Sequence, residues 1–509
     1  MKSFSADVLV IGGGISGYRA AVAAAENGST VAIVEKGPMS SGLIMGFNTH
    51  LQSNDNASTF LEDLINSSCG VGSTALKQIL VYESRVQYDY LLNAGFPFDK
   101  DEKGNAQQIG VLGCSIPRLV HSGKHTGTSI LQYFKERASE LRINHIHGSV
   151  VKLVVYEGSV VGASGFDDEK TQFNISAKAV VVATGGFSAL HKGSTYPSGL
   201  IGDGIALALD AGAKLIDMEF MQFEPCTFYY PEKLRGKLAV TTMLLKGGKL
   251  TNNQGVEFTD YKCNKNVLAN RIMTEVKEGR GTVHGGVYFD VTNVDREVVT
   301  EENALFYNIA LKEGIDFTKD IAEVGPAPHT GLGGIMIDGK GQSTVEGLYA
   351  CGEAAGGVHG ANRIGGCSGT EVIAFGAVAG KNAAEYAKNA MLSKTAFNDL
   401  NIKDYELQHE DFEKISNALT QALPFFKKED TMREGLQTLN SIEAAGCNKA
   451  AKAVLLTAKS QLMASLIRRE SRGVFLRDDY SETDPTMDGV SYVIGLENGC
   501  LNINAEVFK

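Results

Sequence analysis

The sequence predicts an α/β fold, and three observations carry that expectation. Residues 7–17 read DVLVIGGGISG, an apolar run that breaks into glycines and is answered by Glu35 and Lys36 at the end of VAIVEK. Residues 179–187 read AVVVATGGF, a second buried-strand pattern closing on glycines. In residues 347–390 a strand at GLYACGE gives way to a glycine-rich turn and a long helix. Strands that end in glycine turns and alternate with helices are the pattern of a Rossmann-like domain that holds a dinucleotide.

Taken in order, residues 8–11 form a buried strand and residues 18–27 a helix, with G-x-G-x-x-G between them. Gly12 permits the tight turn, Gly14 lets the backbone approach a pyrophosphate, and Gly17 lets helix and strand pack closely. The first turn, at Ile15 and Ser16, offers free N–H groups and a positive dipole end to that pyrophosphate. Glu35 closes the second strand about 20 residues on, where a carboxylate accepts hydrogen bonds from a ribose. Residues 1–37 are thus the first βαβ half. Residues 59–95 and 128–141 carry helical periodicity, residues 150–167 read as short strands, and residues 201–211 read as a helix. From 217 to 328 the βαβ rhythm is lost, as in an inserted α+β cap. It returns over 329–395, and residues 396–509 read as a helical C-terminal domain. The expected division is therefore 1–216 and 329–395 for the dinucleotide domain, 217–328 for the cap and 396–509 for the helical domain.

Composition narrows the function. A chain of 509 residues with 43% hydrophobic and 21% charged residues can bury a large core. The net charge of −11 argues against a nucleic-acid partner, which would call for a basic face. Fifty-eight glycines against ten prolines suit close backbone approaches to a ligand. The eight cysteines include no C-x-x-C pair, so no metal site or disulfide framework is expected. The first strand begins by residue 7, no apolar run approaches a membrane span of about 20 residues, and a cytoplasmic setting is expected.

The motifs together resemble the succinate dehydrogenase and fumarate reductase flavoprotein family, which includes aspartate oxidase and the soluble fumarate reductases. The resemblance rests on DVLVIGGGISG with EK, ATGG, GDGIALALDAGA, HTGLGGI, GEAAGGVHGANRIGGCSG and RRESRGVFLRDDY, and extends over nearly the whole chain. It implies FAD as cofactor in a two-dinucleotide-binding fold. Carried over, Glu353 bonds the ribityl chain and the backbone at Ser368 and Gly369 faces the isoalloxazine ring. Val150 meets adenine through its backbone, and Thr184, Gly185 and Asp203 line the FAD, with Asp203 equally readable as a local turn carboxylate. Lys36, Ser41 and Gly42 complete the cofactor set. The respiratory members attach FAD through a histidine where this chain reads Ser40-Ser41-Gly42, so a non-covalent FAD is expected.

The same resemblance places a substrate carboxylate on Arg363 of ANRIGG and His329 of HTGLGGI. A guanidinium fork pairs two carboxylate oxygens and the imidazole adds another donor. The other half of the site departs from the family. Phe223-Glu224-Pro225-Cys226 stands where members have Phe-His-Pro-Thr, which puts Glu224 and Cys226 at substrate-binding positions. The threonine-glutamate pair that usually follows is replaced within VTTMLLKGG, leaving Met243 and Leu244 nearby. Aligning back from KEGRG puts Lys265 at the proton-donating arginine. RRESRG, with Arg472, and Arg477 match a structural C-terminal return. The expected activity is hydride transfer between flavin N5 and a C=C bond adjacent to a carboxylate, with Lys265 carrying the proton and a substrate other than fumarate. The alternatives are oxidation of an amino or hydroxy acid, as in aspartate oxidase with Glu224 binding an ammonium, or an electron-carrying flavoprotein within a larger complex. A separate electron-transfer partner, iron–sulfur or similar, is expected because any such centre must sit on another chain.

Overall fold

A computed structural model describes residues 1–508 except 38, 124, 240, 262 and 394. Its central sheet grows from β1 (Lys2–Ile11), which is buried from Val8 onward. An uninterrupted apolar run suits a strand covered on both faces by helices. β1 turns at Gly12 into α1 (Ile15–Glu26) and returns as the fully buried β2 (Val31–Glu35). The helix starts three residues before the sequence pattern suggested, because Gly17 lies inside its first turn against the strand. A Cβ at Gly17 would stand 1.9 Å from the Gly12 carbonyl oxygen.

Two helices, Ala57–Ser67 and Thr74–Asn93, and a third, Thr126–Glu140, follow the predicted periodicity. β3 (Asn144–Tyr156) then pairs in parallel with β2. β4 (Ser159–Asp167) turns back antiparallel between β3 and β5 (Gln172–Val182), and β5 lies parallel to β1 from Lys2 to Ile11. The carboxyl ends of β1 and β5 thus finish side by side. Ligands of open α/β sheets bind at such ends.

α2 (Asp203–Asp210) leads to the cap. There β6 (Met221–Tyr230), β7 (Lys249–Thr251), β8 (Val287–Asp290) and β9 (Ala322–Gly331) form an antiparallel sheet in the order β6-β9-β8-β7. α3 (Lys265–Lys277) packs on it. This region has its own apolar core, with Phe228, Phe289 and Phe317 fully buried. β9 carries the chain back, β10 (Leu348–Ala350) adds to β5, and α4 (Cys367–Asn389) lies on α1. That approach is close because Gly380 faces Ala20. A Cβ there would stand 2.1 Å from the Ala20 carbonyl oxygen.

The C-terminal part differs from the helical expectation. α5 (His409–Ala422), α6 (Glu429–Ala444) and α7 (Lys449–Ile467) are helices. The chain then ends in a hairpin of β11 (Val490–Glu497) and β12 (Cys500–Val507), and β11 pairs with Leu215 and Ile216 beside the cap entry. Asn498 and Gly499 sit between the strands with φ of 51° and 77°, the left-handed pair that a two-residue hairpin turn requires. Among the described residues, no helix is long and apolar enough to cross a membrane.

Candidate functional site

Three helices point their N-termini at one cavity of about 1020 Å³ between the central sheet and the cap. α1, α2 and α4 begin after Gly14, Gly202 and Gly366, and none has a capping side chain at that position. Bare helix N-termini attract anions through their free N–H groups and dipoles. Gly12, Gly14, Ile15 and Ser16 line the cavity at α1. Lys36, Ser41, Val150, Thr184, Gly185, Asp203, Glu353, Ser368 and Gly369 line it elsewhere. Gly12 has φ of 122°, and a Cβ there would stand 2.2 Å from the Ala183 carbonyl oxygen, so only glycine fits. Among the described residues, the buried Thr184 Oγ1 has no hydrogen-bond partner, which leaves a polar atom on the wall for a ligand. Uncapped helix ends, a glycine turn and an unpartnered wall hydroxyl fit a dinucleotide such as FAD.

Several side chains on this wall are already engaged. Ser41 Oγ accepts from the Ile15 amide at 3.1 Å, and Lys36 forms an ion pair with Asp203. Asp203 also accepts from the Gly204 amide at 3.0 Å, so it is both turn carboxylate and cavity residue. The Glu353 carboxylate accepts from the Gly331 amide at 3.1 Å, and burial pushes its pKa up to about 8 against the opposing pull of Arg363.

The opposite end of the cavity collects the chemistry-bearing residues. Glu224, Lys265, His329 and Arg363 all line it. They come from β6, the first turn of α3, β9 and the loop before α4. Arg363 is buried. Its Nη2 donates to Thr330 Oγ1 at 3.3 Å, while its Nε has no partner among the described residues. A buried guanidinium with a free donor is poised for an anionic ligand. His329 Nδ1 lies 2.7 Å from Thr195 Oγ1, and the Tyr196 ring stacks edge-on at 5.1 Å. Burial drives the His329 pKa down to about 3, so the imidazole is neutral at physiological pH.

Lys265 forms an ion pair with Glu224 Oε2, and Thr241 Oγ1 donates to Glu224 Oε1 at 2.7 Å. Burial alone would raise the Glu224 pKa, but the Lys265 ammonium and the other donors outweigh it and hold the carboxyl below its usual value. Glu224 is therefore ionised and satisfied on both oxygens.

Three sequence expectations meet a different geometry. Cys226 is not on the cavity wall. The β6–β9 register shifts between Glu224 and Thr227, and this irregularity sends Cys226 into the cap core while Glu224 faces the cavity. Gly42 also lies off the wall, with the Thr128 hydroxyl 3.7 Å from where its Cβ would be. Gly17 keeps the packing role its spacing predicts and, although its motif places it in the cofactor set, does not line the cavity. Glu35 sits behind Gly13, with Oε1 3.0 Å from His145 Nε2 and Oε2 buried without a partner, so this conformation does not present it to the cavity. Glu35, His145 and His147 bring their ligand atoms within 4.8 Å of one another, a cluster not anticipated from cysteine and histidine spacing. Thr195, Tyr196, Thr241 and Thr330 also went unread. They are isolated polar residues whose roles arise only when loops and strands distant in sequence meet at Glu224, His329 and Arg363.

Comparison with known proteins places this geometry. Residues 7–368 match the FAD binding domain family. The chain is 32% identical to one of the subunits of the fumarate reductase (CoM/CoB) of Methanothermobacter marburgensis, over 95% of this chain and 96% of that protein. It is 30% identical to the L-aspartate oxidase of Clostridium acetobutylicum, over 74% of this chain and 87% of that one. Its fold superposes on Mycobacterium smegmatis Sdh1, solved in complex with UQ1, with a TM-score of 0.86 and 29% identity, over 100% of this chain and 95% of that one. The chain belongs to the FAD binding domain family and is an FAD-dependent oxidoreductase of the fumarate reductase and aspartate oxidase group.

Proposed function

We propose that the protein reduces, or in the reverse direction forms, a C=C bond adjacent to a carboxylate, on a substrate other than fumarate. The observation that carries this reading is the convergence of Arg363, neutral His329 and Lys265 on the cavity that Ser368 and Gly369 also line. FAD held along the α1, α2 and α4 N-termini and beside Ser368 and Gly369 would supply hydride-transfer chemistry to this end of the cavity. Arg363 holds the substrate carboxylate and, with His329, stabilises the negative charge that grows toward it as the double bond polarises. When Thr195 donates to His329 Nδ1, the imidazole proton resides on Nε2 and is available to the same carboxylate. Lys265 gives a proton to the carbon beside the carboxylate, and this proton together with one hydride on the next carbon completes the saturated product. Glu224, itself fixed by Thr241, holds the ammonium in place. The Lys265 side chain is 20% exposed, and solvent returns its proton.

The amino-acid oxidase alternative has less support from the geometry. Lys265 already occupies the carboxylate that would have received a substrate ammonium. We also infer a non-covalent FAD, since Ser40-Ser41-Gly42 offers no imidazole, and a separate electron-transfer protein, because the Methanothermobacter relative is by name one subunit of a reductase. Heating or acid should release intact FAD into the supernatant. Flavin fluorescence retained on the denatured chain would overturn the non-covalent reading.

A further inference from the structure

The cap side of the cavity carries a group of apolar side chains. Residues 238–239 and 241–246 fold around Glu224, with the Ala239 amide bonded to the Cys226 carbonyl at 3.0 Å and Thr241 bonded to Glu224 itself. From this stretch Leu238, Met243 and Leu245 line the cavity, and Val298 and Phe306 join them from the chain after β8. Two of the lysines on the cavity wall are already paired. Lys265 is neutralised by Glu224 and Lys36 by Asp203, while Lys246 and Glu302 line the cavity as exposed residues of opposite sign. Arg363, with its unpartnered Nε, is the buried cation left facing a ligand among the described residues just named.

We infer that the substrate is a monocarboxylic 2-enoate with an apolar body, its single carboxylate on Arg363 and His329 and its tail against Leu238, Met243, Leu245, Val298 and Phe306. This inference rests on the enoate reading above and extends it to a substrate class. The physical basis is a difference between ends. A second carboxylate desolvated against this apolar group would have no buried cation to pair with, and would face the ionised Glu224. A hydrocarbon tail gains with each methylene it buries.

Binding and turnover test the two readings separately. Octanoate and succinate, which have no double bond, are titrated into oxidised holoenzyme while perturbation of the flavin spectrum is followed. Octanoate should bind at least tenfold more tightly than succinate, and Phe306→Ala should narrow that ratio. In stopped-flow mixing with the reduced holoenzyme, 2-octenoate should reoxidise flavin with a kcat/KM at least tenfold above crotonate and about a thousandfold above fumarate. Equal or tighter succinate binding, or fumarate as the preferred oxidant, would overturn the inference. Tight octanoate binding with flavin that no enoate reoxidises would leave the apolar pocket standing and overturn the reaction instead.

Discussion

In the proposed reaction the chemistry turns on Arg363 and Lys265, and each has a distinct signature. Arg363→Ala should remove turnover while flavin content stays stoichiometric, because the proposed reaction places its guanidinium on the substrate carboxylate, whereas Ser368 and Gly369 line the cofactor side. Losing one partner of a buried charge-assisted pair costs on the order of 2–5 kcal/mol. Lys265→Met should lower kcat by about 10²–10⁴-fold, the range for a lost general acid, with much less effect on the binding of saturated carboxylates. Equal losses in binding and turnover would assign Lys265 to substrate binding alone. The family resemblance pointed to both positions, through ANRIGG for Arg363 and by alignment back from KEGRG for Lys265, and both line the cavity. Their supports were not legible in the sequence. Thr330 beneath Arg363, Thr195 beneath His329 and Thr241 on Glu224 are ordinary threonines until the cap strands meet the dinucleotide domain.

The elements that hold the cofactor were the clearest part of the sequence, because each couples an apolar run to a glycine with a steric reason to be there. The G-x-G-x-x-G pattern nonetheless treats Gly13 as free. In the structure a Cβ at Gly13 would stand 1.8 Å from Glu35 Oε2, a collision with a buried carboxylate held by His145. Gly13→Ala should therefore yield folded protein, checked by far-ultraviolet circular dichroism, that has lost most of its FAD. Normal flavin content in this variant would mean that Glu35 moves freely. The C-terminal hairpin was missed although its signal was present. Residues 490–507 are β-rich strands around Asn-Gly, the strongest short-range hairpin cue, but three preceding amphipathic helices dominated the reading of that region. The β6 irregularity that parts Glu224 from Cys226 has no such signal, since it is set by pairing with β9 across the cap.

At the scale of the molecule, the C-terminal helices and their return close onto the cap through charged groups buried among aromatics. Arg468 donates to Glu219 at 2.7 Å and lies over the Phe220 and Tyr492 rings. Lys427 lies over Phe475 at 5.1 Å, and burial, aided by Arg477, pushes its pKa down to about 7. The folded protein thus releases this proton near pH 7, whereas an unfolded lysine holds it to about 10.4. Between those values the unfolded chain binds more protons, so this residue's contribution to stability rises with pH and is least favourable below 7. Lys427→Met should stabilise the fold at pH 6, by up to about 5 kcal/mol before the lost ring contact is subtracted, seen as a higher denaturation midpoint, and the gain should shrink toward pH 10. A gain independent of pH would show that Lys427 keeps its proton in both states.

Transfer of electrons from reduced flavin to a carboxylate-bearing alkene, in the cavity of Arg363, His329 and Lys265, is the central claim. The most direct measurement is a single-turnover experiment with purified holoenzyme, reduced without oxygen and mixed with a panel of 2-enoates while flavin absorbance and product mass are followed. At least one enoate should restore the oxidised flavin spectrum and appear as the saturated acid, two hydrogens heavier, and Arg363→Ala should abolish both signals. Flavin that stays reduced with every enoate yet is oxidised at once by dioxygen or an amino-acid-derived imine would contradict the claim.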